Sequence, residues 1–133
     1  MGMKTLIVED DFTSSLLLKE ILKHYGPSHT ALNGQQAMEA VRTAIDAGEP
    51  YDLICLDIMM PEMDGQEALQ QIRALEEAKG IIAINGAKVV MTTALEDVKN
   101  ILTSFKGMCD VYLTKPVDKA KLLSELRKLK LIE

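Results

Sequence analysis

Leu53-Ile54-Cys55-Leu56-Asp57-Ile58-Met59-Met60-Pro61-Glu62-Met63-Asp64-Gly65 decides how this chain is read. Four apolar residues run unbroken into one carboxylate, and a proline and a glycine follow. The stretch therefore predicts a strand buried on both faces that delivers Asp57 to its open end. Alone, Asp57 would read as a polar residue closing a strand. Three other strand-like runs also stop at polar groups: Leu6-Ile7-Val8 at Glu9 and Asp10, Val89-Val90-Met91 at Thr92 and Thr93, and Val111-Tyr112-Leu113 at Thr114 and Lys115. The coincidence of these ends points to a site.

The segments between those runs have helical spacing. Leu18, Ile21, Leu22 and Tyr25 recur at i, i+3, i+4 and i+7 behind a cap expected at Thr13 or Ser14, and Gly26-Pro27 stops that helix. Ser28 to Leu32 is a weaker, more polar strand suited to a sheet edge. Asn33, with Gln36 three residues on, caps a helix with an apolar stripe of Ala37, Ala40, Val41, Ala44 and Ile45. Asp64 with Glu67 caps a third, with Ala68, Ile72 and Leu75 turned inward and fraying near Lys79-Gly80. Val98, Ile101, Leu102 and Phe105 mark a fourth helix, and Asp118 caps a last one carrying Leu122, Leu126 and Leu129. Between Ile81 and Ile84 the chain is ambiguous, because Asn85-Gly86 flanked by apolar residues is a hairpin signal. A plain connection packing isoleucines on the core is the expectation there. Strict alternation of strand and helix predicts an α/β fold, a doubly wound five-stranded parallel sheet with helices on both faces. In such sheets ligands bind at the carboxyl ends of the strands.

With 133 residues, 47% of them hydrophobic, the chain suits one domain over 1–133 without disulfides. A net charge of -5 argues against direct nucleic-acid binding, which depends on neutralising phosphates. Cys55 and Cys109 lack metal-ligand spacing and read as small buried hydrophobes of a reducing compartment. The sequence shows neither a membrane-spanning run nor a signal peptide, so no membrane association and a cytoplasmic location are expected.

Glu9, Asp10 and Asp57 would stand at neighbouring strand ends, where like charges raise one another's pKa unless a cation sits among them. All-oxygen ligands suit Mg²⁺, which binds through a few carboxylates and keeps other positions for water and phosphate oxygens. Thr93 offers a hydroxyl, and Lys115 a charge on a long stem. Together these residues suggest phosphoryl transfer, with Asp57 as nucleophile and Mg²⁺ and Lys115 offsetting charge on the transferred group.

At these residues the chain resembles the receiver domains of two-component response regulators, the CheY-like family. The resemblance rests on Glu9-Asp10, on Leu56-Asp57-Ile58-Met59-Met60-Pro61-Glu62-Met63-Asp64-Gly65, on Thr93-Ala94 and on Lys115-Pro116, and it covers essentially the whole chain. It implies the flavodoxin-like strand order 2-1-3-4-5, which would put Thr93 one strand from Asp57 and Lys115 two, a gap only a long side chain bridges. It implies that Asp57 is the phosphoacceptor, served by Thr93 and Lys115 and charged by a histidine kinase or histidine phosphotransfer protein. It further implies Mg²⁺ on Asp10, Asp57 and the backbone carbonyl of Met59, with Glu9 acting through water, and a cis Lys115-Pro116 bond. Tyr112 resembles the family's aromatic switch residue, which turns inward when Thr93 moves. The fourth helix, fifth strand and fifth helix, here about residues 95–131, would form the output surface for a downstream protein that the sequence does not name. Lys119, Lys121, Arg127, Lys128 and Lys130 make the last helix basic.

The resemblance implies a stand-alone phosphoacceptor switch rather than an enzyme with turnover, with no output domain, acting as a monomer or as a dimer promoted by phosphorylation. Met59 and Leu95 are apolar where the family commonly has polar residues, and they are expected to shield the acyl phosphate from water. An aspartate-nucleophile phosphatase of the haloacid dehalogenase kind would show Asp-x-Asp-x-Thr, and Asp57-Ile58-Met59 lacks the second acid. A receiver reduced to a docking module would have lost one of Asp10, Asp57, Thr93 or Lys115, and all are present.

Overall fold

The computed structural model describes residues 2–58, 65–81, 85–93 and 109–133. Five strands, β1 (Thr5–Val8), β2 (Ser28–Ala31), β3 (Leu53–Asp57), β4 (Lys88–Thr93) and β5 (Val111–Thr114), form one sheet in the order 2-1-3-4-5. Every pairing is parallel. Helices α1 (Phe12–Leu22), α2 (Gly34–Asp46), α3 (Gly65–Ala78) and a C-terminal helix (Lys119–Lys128) accompany it. The helix expected around Val98 to Phe105 lies outside the described residues. So do residues 82–84, on which the choice between hairpin and connection turned.

The uninterrupted apolar runs are explained by a core on each side of the sheet. Leu6, Val8, Ile54, Leu56, Val89 and Met91 point to α2 and α3 and meet Ala37, Val41, Ala44, Ala68, Leu69 and Ile72. Their neighbours Ile7, Leu53, Cys55, Val90 and Leu113 point the other way, to Leu18, Ile21 and Leu22 of α1 and to Leu122, Leu123 and Leu126. Successive strand residues face opposite sides, so a strand sandwiched between helix layers needs an apolar residue at every position. β2, at the edge, buries only Ala31, which is why its sequence is polar.

Asp11 caps α1, not Thr13 or Ser14. Its extended backbone stands just outside the helix, and its carboxylate accepts hydrogen bonds from Ser14 N at 2.8 Å and Ser14 Oγ at 2.7 Å. That helix also ends at Leu22, earlier than the apolar spacing implies, and Tyr25 instead lends its carbonyl to Met3 N at 2.8 Å. At Gly26, φ is +146° and an added Cβ would sit 2.2 Å from Met3 O, so glycine is required. Asn33 caps α2 as expected, accepting from Gln36 N at 2.8 Å, while Gln36 Oε1 accepts from Leu32 N at 2.9 Å.

Candidate functional site

Each strand delivers its last residue to the same edge of the sheet. Val8 is paired with Leu56, so Glu9 and Asp10 leave β1 beside Asp57. Asp57 is paired with Thr92, which puts Thr93 one position further along β4, and Thr93 with Thr114 brings Lys115 to the same level. Lys115 N donates to Thr93 O at 2.8 Å, and the Lys115-Pro116 bond is cis, as the resemblance implies.

Glu9 and Asp57 are buried, whereas Asp10 is exposed. Each of the three offers an oxygen within 4.8 Å of the others. Lys115 reaches past β4 to Asp57 and past both β4 and β3 to Glu9: its Nζ lies 2.7 Å from Glu9 Oε1 and 3.3 Å from Asp57 Oδ2. Burial pushes the Glu9 carboxyl up to about 7, and neighbouring Asp57 adds to the rise against the opposing pull of Lys115. Burial of Lys115 works against its charge, but the contacts with Glu9 and Asp57 outweigh it and its pKa is raised. The cluster therefore carries more negative charge than one ammonium offsets. Three hard oxygen donors this close fit a small divalent cation of the Mg²⁺ type, whereas a soft metal would call for sulfur or nitrogen ligands.

The structure thus brings together Glu9, Asp10, Asp57 and Lys115, and lodges Thr93, buried, at the same edge. Tyr112 is half-buried next to Met91 and packs on the α2 and α3 side, its phenol pKa raised by burial and by a hydrogen bond to Cys109. Met59 and Leu95 lie outside the described residues. Cys55 is fully buried, with a thiol pushed up to about 12, which agrees with its reading as a core residue. Cys109 is only half-buried. Sequence reasoning did not foresee that Lys115 lies closer to Glu9 than to Asp57. The available signal was the extra methylene of glutamate.

A family model described as response regulator receiver domain matches residues 5–127. The chain is 32% identical over 124 residues to the transcriptional regulatory protein ZraR of Escherichia coli K12, covering 92% of this chain and 25% of that protein. It is 33% identical over 131 residues to the two-component response regulator ORR41 of Oryza sativa subsp. japonica, covering 96% of this chain and 94% of that one. Among solved structures, a CheY-like response regulator receiver domain from Methylobacillus flagellatus superposes with a TM-score of 0.78 at 26% identity, over 97% of this chain and 99% of the other. The receiver domain of Ssk1 from Saccharomyces cerevisiae, solved with the histidine phosphotransfer protein Ypd1, gives 0.77 at 27% identity, over 98% and 92%. No helix among the described residues is long and apolar enough to cross a membrane.

Proposed function

The chain belongs to the response regulator receiver domain family, and on that premise we propose that Asp57 accepts a phosphoryl group from a histidine kinase or histidine phosphotransfer protein. The observation that carries this reading is the convergence at one strand edge of Glu9, Asp10 and Asp57 with the ammonium of Lys115. A carboxylate oxygen of Asp57 attacks phosphorus, the bond to the donor nitrogen breaks, and the donor keeps the electron pair. Lys115 is close enough to Asp57 to follow the added charge, and Thr93 stands at the end of the neighbouring strand with a hydroxyl for a phosphoryl oxygen. Glu9, Asp10 and Asp57 would hold Mg²⁺, which when bound neutralises charge on the transferred group. Hydrolysis of the acyl phosphate by water restores the carboxylate and releases inorganic phosphate. The chain then acts as a switch and not as an enzyme with a separate substrate. Its last helix, with Lys119, Lys121, Arg127 and Lys128 exposed, belongs to the surface read by a downstream protein. This function is cytoplasmic, where histidine kinases present their phosphoryl groups.

Intact mass after incubation with acetyl phosphate and Mg²⁺ tests the proposal. One added phosphoryl group that requires the metal and disappears in Asp57→Asn is the expected result. Absence of an adduct, under conditions that label a known receiver, overturns it.

A further inference from the structure

The outer edge of β2 has no neighbouring strand among the described residues. Pro27 O and Ala31 O both face β1, accepting from Thr5 N and Glu9 N at 3.0 Å each. By the two-residue period of a strand, the amides and carbonyls of Ser28 and Thr30 therefore point outward. Leu32 N, next in that row, already donates to Gln36 Oε1 at 2.9 Å. Sheet edges are commonly blunted by lysine, proline or a bulge. Ser28–Ala31 has none of these, and its register with β1 is unbroken.

The two faces of this edge differ in chemistry. On the α2 side, His29 opens onto a groove of about 680 Å³ whose walls carry Lys4, Arg42 and Tyr51. Lys4 Nζ lies 4.6 Å from the Tyr51 ring centre and donates to Glu49 O at 2.6 Å, while the Tyr51 hydroxyl meets His29 Nδ1 at 2.8 Å. These groups are held in place before anything binds. Arg42 is exposed and pairs with no carboxylate among the described residues, and Glu39 is the one acid among the described residues of the groove's wall. In a chain of net charge -5 this hollow is locally positive. On the α1 side, Thr30 opens onto a smaller hollow of about 190 Å³ between Phe12, Leu16 and Leu32, which are 72%, 47% and 57% exposed. Glu9 and Asp10 also line it and disfavour a further acid there. Successive side chains of an added strand would enter the two hollows in turn.

We propose that the β2 edge takes an extended peptide of a partner protein, added as a sixth strand, whose side chains alternate between acidic and apolar. The acidic side chains enter the hollow of Lys4 and Arg42, and the apolar ones cover Phe12, Leu16 and Leu32. Main-chain hydrogen bonds to Ser28 and Thr30 supply affinity, and the alternation supplies selectivity. A second copy of this chain fits less well, because β2 itself, Ser28-His29-Thr30-Ala31, offers no acid to the basic hollow. This binding depends neither on Asp57 nor on the function proposed for it.

The test is an NMR titration of ¹⁵N-labelled protein with a synthetic peptide of alternating leucine and glutamate, flanked by glycine and serine. Saturable shifts are expected, largest at the amides of Ser28 and Thr30 and at Arg42, with a Kd below about 1 mM. The same peptide with lysine in place of glutamate should bind at least about tenfold more weakly, and Arg42→Glu should weaken the glutamate peptide about tenfold. Arg42 is exposed, so amide signals away from α2 should stay unchanged in that variant and report an intact fold. N-methylating the peptide at its leucines or at its glutamates removes alternate amide donors. One of these sets should abolish binding and the other leave it within about twofold, because only one row of amides can face β2. Absence of shifts at about 1 mM peptide, shifts centred away from β2, equal binding of the lysine peptide, or equal effects of the two methylated sets overturns the proposal.

Discussion

Buried carboxylates stand at both ends of this sheet, and they are treated in opposite ways. At the amino ends of the strands, Glu76 of α3 is buried and fully engaged: Oε2 accepts from Ala87 N at 2.7 Å and Oε1 from Arg73 Nη1 at 2.8 Å. Arg73 also donates to Ala87 O at 2.8 Å and reaches Asp110 at 3.6 Å, and Asp110 in turn accepts from Val89 N at 2.8 Å. At the carboxyl ends, Glu9, Asp10 and Asp57 crowd together with Lys115 between two of them. The first group is satisfied by the fold and ties α3 to the starts of β4 and β5. The second is left in charge excess, as expected of a site that is to receive a cation and a phosphoryl group under the function proposed above. The difference teaches that burial alone does not distinguish a structural carboxylate from a working one. What distinguishes them is whether the surrounding donors match the charge.

The sharpest way to break this comparison is Glu76→Ala. It removes the buried partner of Arg73 and leaves the Ala87 amide without an acceptor, and should destabilise the chain by about 3–5 kcal/mol in denaturant unfolding, while Mg²⁺-dependent labelling of Asp57 persists below the lowered melting temperature. A loss under about 1 kcal/mol would show that the amino-end group is not the anchor described here.

The working end should respond to pH with a definite sign. Glu9 has a folded pKa near 7 against an ordinary value of 4.5. Its neutral form therefore favours the folded state fully below pH 4.5, and that contribution is lost as pH rises through 7. Without metal, stability should fall across this window by at most about 3 kcal/mol relative to Glu9→Gln, and saturating Mg²⁺ should flatten the slope. Unfolding at a series of pH values, with chelator and with Mg²⁺, checks it. A metal-free slope identical in the variant would remove Glu9 from the account.

A smaller effect is expected at Gly86, where an added Cβ would sit 2.6 Å from Glu76 Oε1 and 2.8 Å from Oε2. Gly86→Ala should cost about 1–3 kcal/mol in denaturant unfolding, and less when combined with Glu76→Ala, since the two share one contact.

Much of this molecule was legible beforehand. The apolar runs at Leu6, Leu53 and Val89 read as strands because burial on both faces forces an apolar residue at every position. The stripe Ala37, Val41 and Ala44 read as a helix face because packing on a sheet imposes its own period. The site was legible because four strand ends carried polar residues that no turn required together. Other features were not. Glu76 looked like any acid on a helix, since its burial depends on Ala87 and Arg73 arriving from elsewhere. Asp11 is not legible as a cap, because it continues an acidic run from Glu9 and only the backbone geometry separates its role from that of Asp10.

The sequence by itself determined the alternation of strand and helix, the two-sided core and the chemical inventory of the site, because periodicity and residue type are local properties. The tertiary structure decided which charges are matched: that Lys115 reaches past β4 and β3 to sit on Glu9 more closely than on Asp57, and that Arg73 finds Glu76 and Asp110 at the opposite end. Electrostatic pairing depends on distances of a few ångströms between residues far apart in the chain, and those distances exist only once the strands are in register.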